Sequence, residues 1–350
     1  MRKMATVRQI DSLSPIEGAD RIELAHIGGW QVIVRKGAYK AGDLTVYCEI
    51  DSWIPHAVDP TLTREGHDPK EYEGVKGQRL KTAKMRGVVS QGLCLPLSVL
   101  PHLPPAGCDD VSEILGIIKW EKPLAACLRG QAKGNFPTFI PKTDQERVQN
   151  IKGVYQDALE HNEHFEVTYK LDGSSMTIYR YQGSKDDGVK YGVCSRNIDL
   201  KTEQEGNAFV DMANKMQYCA VLDAVSAFFG VNSFAIQGEL VGPNIQSNHE
   251  GVDENEFYIF DMFDIEEQRY LLPDERAAVM QLLECFEHIK HVPIYCHGST
   301  LPLTVEECIK TAEGESGLNG KMREGLVFKS LARDFSFKVI SNAYLLKHGD

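Results

Sequence analysis

His164-Phe165-Glu166-Val167-Thr168-Tyr169-Lys170-Leu171-Asp172-Gly173 alternates apolar and polar side chains as far as a lysine, then breaks at Asp-Gly. A period of two predicts a half-buried strand, His164–Leu171, with Lys170 and Asp172 able to face one cleft. A solvated lysine before an Asp-Gly hairpin turn has the same local sequence. Companions that follow in a fixed order separate the two readings. They are Ser195-Arg196-Asn197, Gly238-Glu239-Leu240, Phe257-Tyr258-Ile259-Phe260-Asp261, Glu324-Gly325-Leu326-Val327-Phe328-Lys329 and Ser336-Phe337-Lys338-Val339.

Lysine attacks phosphorus only as the free amine, so its pKa must fall through desolvation or nearby positive charge. A metal ion beside the phosphate, or a second lysine such as Lys338, supplies that charge. Asp172, Glu239 and Glu324 are hard oxygen donors of the kind Mg²⁺ or Mn²⁺ accepts, often through water. Cations on the phosphates stabilise the charge that builds up as pyrophosphate departs.

Outward from this core, 350 residues imply two domains, and 42% apolar with 25% charged residues fits an ordinary globular protein. No apolar run is long enough to span a bilayer, and the N-terminus has no signal-peptide core. Nine scattered cysteines without a C-x-x-C pair argue against a zinc ribbon and for a reducing interior. The expected location is intracellular, cytoplasmic or nuclear, and the expected state a monomer. A net charge of −12 argues against a protein that coats polyanions. Local clustering matters more than the sum, and Lys76, Arg79, Lys81, Lys84 and Arg86 fall in a window free of acids.

The first hundred residues read as short strands, Val7–Ile10, Arg21–Ile27, Trp30–Arg35 and Leu44–Ile50, with Gly28-Gly29 as a tight hairpin. Five or so such strands predict a small Greek-key barrel, an OB-fold. Prolines and glycines between Leu100 and Gly134, among them Pro105, Gly107 and Pro123, mark a connector. The boundary is placed near residue 130, giving an OB-fold domain with linker over 1–130 and a second domain over 131–350. Thr143-Asp144-Gln145-Glu146 has the form of a capping box opening a helix to about Glu160. Beyond it, strands mix with helices at about Glu203–Gln217, Leu222–Phe229, Asp274–His288 and Thr304–Thr311. The fold class is α+β, an N-terminal OB-fold β-barrel followed by antiparallel sheets flanked by helices.

The ordered motifs resemble the covalent nucleotidyltransferase superfamily of ATP-dependent DNA and RNA ligases and GTP-dependent mRNA capping enzymes. Lys170–Gly173 resembles motif I, Ser195–Asn197 motif Ia, Gly238–Leu240 motif III, Phe257–Asp261 motif IIIa and Glu324–Lys329 motif IV, while Lys338 stands where motif V has its lysine. An OB-like part that comes first, with Phe139–Asp144, Arg147–Asn150 and an ending Ser336–Asn342, is similar to one group of ATP-dependent RNA ligases. DNA ligases and capping enzymes carry their OB domain last.

The resemblance implies an adenylyltransferase domain, ATP as co-substrate and Mg²⁺ or Mn²⁺. It implies RNA with 3′-OH and 5′-phosphate ends, in a nicked or broken duplex, sealed through lysyl-AMP on Lys170 and an adenylylated 5′ end. By position, Asp172, Glu239 and Glu324 would hold metal-bound waters or ribose, and Phe257 would stack on adenine. Thr168 and Tyr169 would lie near the adenine edge, and Gly173 would line the nucleotide site. Arg196 and Asn197 would contact ribose, phosphate or the RNA end. Lys338 and Lys329 would neutralise the α-phosphate, and Arg147 would contact pyrophosphate or the 5′-phosphate. The OB domain would grip RNA through Lys76–Arg86 and an aromatic, Trp30 or Tyr47. Two positions depart from the family pattern: Ser336 replaces the first motif V lysine, and Tyr169 stands where some RNA ligases have Glu. A capping-type guanylyltransferase, a DNA ligase and a non-catalytic OB-fold RNA-binding protein are the alternatives.

Overall fold

The alternation read from the first hundred residues becomes real strands, and more of them than expected. The computed structural model describes residues 2–102, 104, 108–121, 130–183, 188–203 and 205–348, so Pro105, Gly107 and Pro123 lie outside the described residues. One unit holds the described residues of Met1–Pro123 with Asn342–Asp350, the other those of Leu124–Ser341.

In the first unit the strands are β1 (Ala5–Gln9), β2 (Ser12–Pro15), β3 (Ile22–Ile27), β4 (Trp30–Arg35), β5 (Leu44–Cys48), β6 (Ser52–Pro55), β7 (Lys70–Tyr72), β8 (Val75–Arg79), β9 (Ala83–Met85), β10 (Val88–Ser90), β11 (Leu93–Leu95) and β12 (Ile118–Lys119). They pair as β1-β5-β11, β2-β3-β4, β12-β6-β8-β7 and a ribbon β9–β10, without one continuous ladder closing into a barrel among the described residues. Gly28-Gly29 makes the expected two-residue hairpin, with Ile27 opposite Trp30 and Gly28 at φ 60°. Trp30 and Tyr47, read as possible stacking platforms, are instead core, each 1% exposed, with Val32 and Ile50 around them. The C-terminal helix, Asn342–His348, belongs to this unit rather than to the second, because Leu345 packs on that same cluster.

The second unit holds β13 (Ala132–Asn135), β14 (Glu146–Arg147), β15 (Phe165–Lys170), β16 (Ser174–Tyr181), β17 (Lys190–Cys194), β18 (Ile198–Leu200), β19 (Phe234–Val241), β20 (Glu256–Asp264), β21 (Arg269–Tyr270), β22 (Lys290–His291), β23 (Ile294–Ser299), β24 (Gly325–Ser330) and β25 (Ser336–Ile340). Its helices are α1 (Lys152–Glu160), α2 (Ala208–Lys215), α3 (Tyr218–Phe229), α4 (Pro273–Leu282) and α5 (Val305–Thr311). One sheet runs β13-β18-β17-β16-β19-β20-β21 with β22 also on β20; the other runs β14-β25-β24-β15-β23. Most pairs are antiparallel, and α2, α3 and α4 bury Phe209, Val221 and Val279 against the larger sheet. Helices α1 and α5 bury Tyr155 and Cys308 against the smaller one. Among the described residues no helix is long and apolar enough to cross a membrane.

The expected capping box does not form. Thr143 shares a hydroxyl–hydroxyl hydrogen bond with Ser175 at 2.8 Å, and Glu146-Arg147 pairs parallel to Phe337-Lys338. The helix begins only at Lys152. Residues 141–147 are instead an extended strap across both sheets. Pro141 O accepts from Gln237 Nε2 at 2.9 Å, and Asp144 takes the Lys338 ammonium at 2.8 Å.

Candidate active site

Lys170 ends β15 in the smaller sheet, and Ser174 begins β16 in the larger one. Leu171-Asp172-Gly173 is therefore a crossing from sheet to sheet, not a hairpin turn. Gly173 is required there, because a Cβ on it would lie 2.3 Å from the Leu240 carbonyl oxygen. That close approach brings Asp172 and Lys170 beside Glu239, which sits on β19 next to Leu240.

Strand register sorts the remaining side chains by face. Lys170 pairs with Gly325 and Thr168 with Val327, which pairs in turn with Lys338, so Lys170, Thr168 and Lys338 share one face. Glu324, one residue before β24, reaches back so that its Oε2 accepts from Lys170 Nζ at 2.7 Å. Burial alone would push the Lys170 amine down, but the carboxylates of Glu324, Glu239 and Asp172 outweigh it and hold the amine above its ordinary value. Nucleophilic attack needs a lowered pKa; held by these carboxylates, the lysine is an ammonium. Burial, reinforced by Glu324 and Asp172, pushes Glu239 up to about 8 against the opposing pull of Lys170 and Arg196. Burial also raises Glu324, with Lys170 and Lys338 pulling the other way.

The structure thus brings Lys170, Asp172, Glu239 and Glu324 together, with Arg196 and Lys338 within electrostatic reach. Arg196 is exposed in the turn between β17 and β18, and neighbouring Asn197 accepts from Lys142 Nζ at 2.8 Å. Arg147 is 6% exposed, on strand β14 directly beside Lys338 rather than on a helix. Among the described residues no three acidic, histidine or cysteine side chains converge closely enough to ligate a metal directly.

Three expected residues lie elsewhere. Phe257 is fully buried on the helix-facing side of β20, its ring over Gly238, where a Cβ would meet it at 2.5 Å. It is core and not a stacking platform. From the same motif, half-buried Phe260 lies on the opposite side with Leu171 and Val241. Tyr169 is on the far face from Lys170, its ring beside Tyr295 and under the Arg323 guanidinium at 5.6 Å.

Lys329, the third, shares the Lys170 face but is 4% exposed, and its ammonium is taken by Asp261 at 2.5 Å and by the Phe260 carbonyl. Arg276 of α4 is hydrogen-bonded to Glu166 and donates to His291 Nε2 at 3.0 Å, with Asp261 at 3.9 Å. Burial and Arg276 push His291 down to about 3, so it is neutral and can accept that bond. These five groups join the two sheets beneath the site.

Sequence reasoning missed Glu250 altogether. It is 1% exposed, and its carboxylate accepts from the Asp172 backbone N–H at 3.1 Å and from Ser316 Oγ at 2.9 Å. His249 beside it hydrogen-bonds the Met322 carbonyl at 2.6 Å and accepts at its own carbonyl from Asn319. This loop staples the Lys170 crossing to the segment that delivers Glu324. Nothing in the local sequence Asn248-His249-Glu250-Gly251 signals it, because both partners are remote in the chain.

Comparison with known proteins gives consistent results. The profile described as RNA ligase matches residues 163–340, and an OB-fold domain profile matches residues 4–97. No curated protein sequence matches. The structure of Naegleria gruberi RNA ligase with PPi is 44% identical, covers 100% of each chain and superposes with a TM-score of 0.88. A lysine-to-methionine variant of that ligase with AMP and Mn gives the same identity, coverage and TM-score, 44%, 100% of each chain and 0.88. A glutamate-to-alanine variant with ATP and Mn gives 44%, 100% of each chain and 0.87.

Proposed function

Because this chain belongs to the RNA ligase family, an assignment that makes it an RNA ligase enzyme, we propose that it seals RNA 3′-OH and 5′-phosphate ends with ATP through AMP carried on Lys170. The observation that carries the reading is the Lys170–Glu324 pair at 2.7 Å, set between Glu239 and Asp172 where the two sheets meet. Lys170 Nζ attacks the α-phosphorus of ATP, a P–N bond forms, and the bond to the bridging oxygen breaks as pyrophosphate leaves with its electron pair. Glu324 Oε2 is the atom placed to take the amine proton. A 5′-phosphate oxygen then displaces the lysine, forming the adenylylated end. Attack of the 3′-OH on the 5′-phosphorus closes the phosphodiester and releases AMP.

The donor set fits a hard divalent cation. Three carboxylates gather around one lysine, and burial first, then Glu324 and Asp172, raise Glu239 to about 8, so a cation beside it would be favourable. The Mn and ATP in the Naegleria gruberi structures support ATP with Mn²⁺ or Mg²⁺ here. Bound through water to these carboxylates, such an ion supplies positive charge beside the α-phosphate. Thr168, on the Lys170 face, and half-buried Phe260 are the groups we assign to the base, and Lys338 and Arg196 offer charge to phosphate. The proposed substrate is a nicked or broken RNA duplex, and the proposed active species a monomer.

The test is incubation with α-³²P ATP or GTP and Mg²⁺ or Mn²⁺, followed by denaturing electrophoresis, with Lys170→Met alongside. Label from ATP that survives denaturation and is lost in the variant is expected. Label from GTP would move the reading to capping chemistry. No label, in protein shown by mass not to be adenylylated already, would overturn it.

A further inference from the structure

The basic window of the first unit plays no part in the chemistry above. From Gly74 to Cys108 the chain has five cations and no acidic residue. Arg79 pairs with Asp51 at 2.8 Å and covers the Trp120 ring at 3.9 Å, and Lys76 stands opposite Glu71 on β7. The other three, Lys81, Lys84 and Arg86, are exposed, and among the described residues none has an ion-pair partner.

Their presentation is built. Met85 pairs with Val88, and Arg86 and Gly87 have φ of 52° and 81°, the two left-handed positions of a type I′ turn. Arg86 is thus at the tip of a two-stranded ribbon, with Lys84 in its wholly exposed outer strand, β9. The inner strand leads onto β4, where Gln91 N–H donates to Gln31 O and Ser90 Oγ accepts from Ile33 N–H. That order runs antiparallel, so it carries exposed Arg35 and Lys36 toward the ribbon tip; neither has an ion-pair partner among the described residues. The acid of this neighbourhood is Glu23, opposite Val34, its carboxylate held by Gly37 N–H.

Five exposed cations on a unit in which Trp30 and Tyr47 are buried suit phosphate contact. We propose that the β9–β10 ribbon, with Arg35 and Lys36, is a sequence-independent contact surface for the RNA phosphate backbone. This rests on the RNA ligase reading, but its test reads binding, not catalysis.

The experiment titrates the full chain against a fluorescein-labelled nicked RNA duplex at several NaCl concentrations, comparing wild type with Lys84→Glu/Arg86→Glu. Each phosphate contact lowers the salt slope by roughly 0.7–0.9, or about fivefold in affinity at 0.15 M salt, so two lost contacts predict a loss of roughly 20-fold and a slope reduced by about 1.6. A second variant, Lys190→Glu/Lys310→Glu, makes the same change in net charge at exposed lysines of the other unit. Loss confined to the ribbon variant supports the proposal. Equal loss in both, or none in the ribbon variant, overturns it. Wild type that takes no label from ATP yet loses RNA affinity through the ribbon variant would sink the ligase reading and leave this surface standing.

Discussion

Replacing Glu324 by glutamine tests whether carboxylates, rather than burial, set the state of Lys170. Two unit charges about 4 Å apart attract by about 1 kcal/mol in water and about 4 kcal/mol at an effective dielectric of 20. The side chains of Lys170 and Glu324 keep 26% and 15% exposure, between those limits. About 2 kcal/mol is the midrange, equal to a factor of about 30 in an equilibrium constant. Lys170 is held above its ordinary value, so Glu324→Gln should lower its pKa and raise the free amine at pH 8 by roughly that factor. Competitive labelling with acetic anhydride across pH, read on the Lys170 peptide by mass spectrometry, measures the midpoint. Glu306→Gln, exposed on α5, is the control that should leave it in place. ATP-dependent labelling should fall in Glu324→Gln despite the freer amine, because the proton acceptor is gone. A midpoint that stays put or rises would refute the electrostatic account.

Glu239 is raised to about 8, so its share of stability is full below the ordinary carboxyl range and is lost as pH rises through about 8. Glu239→Gln should therefore raise Tm over wild type at pH 9 and leave it unchanged at pH 4, by calorimetry. Lys329→Met leaves Asp261 buried with Arg276 as its one close cation among the described residues, which should cost about 3–5 kcal/mol in urea unfolding; a loss under 1 kcal/mol would show that the network is slack. Glu250→Ala frees the Asp172 N–H and Ser316, and should cost about 1–3 kcal/mol in stability. It should also lower the rate of label uptake more than it raises the KM for ATP, and a pure KM effect would contradict a positioning role.

How much of this was legible in the sequence depended on the range of the contact that decided it. Period-two alternation located β15, which ends at Lys170 as the pattern requires. The same alternation puts Phe257 and Phe260, three residues apart, on opposite faces, as the structure has them. Thr143-x-x-Glu146 reads as a cap only while the chain is taken alone. Phe337-Lys338 offered the strap a parallel partner instead, and tertiary pairing overrode local preference. Strand β23 was missed because most of its side chains are exposed and Gly298 interrupts it. Glu250 and Arg276 were out of reach for another reason. Their partners lie 78 and 110 residues away in the chain, so no window contains the interaction that gives either residue its role.

The two lysines of the smaller sheet show why position, and not pKa, identifies the nucleophile. Lys329 is the one whose amine is already lowered, to about 8, by burial and by Arg276, despite the pull of Asp261. By pKa alone it would be the better nucleophile at neutral pH. Yet it is 4% exposed and its hydrogens are spent on Asp261 and Phe260 O, so no phosphorus can reach it. Lys170 is reachable but charged, because the three carboxylates that face it outweigh burial even with Arg196 acting on Glu239 and Lys338 on Glu324. Lys329 has the Arg276 guanidinium beside it. The reading therefore requires that positive charge arrive with the nucleotide before attack, which makes Lys170 inert toward other phosphates until the site is filled.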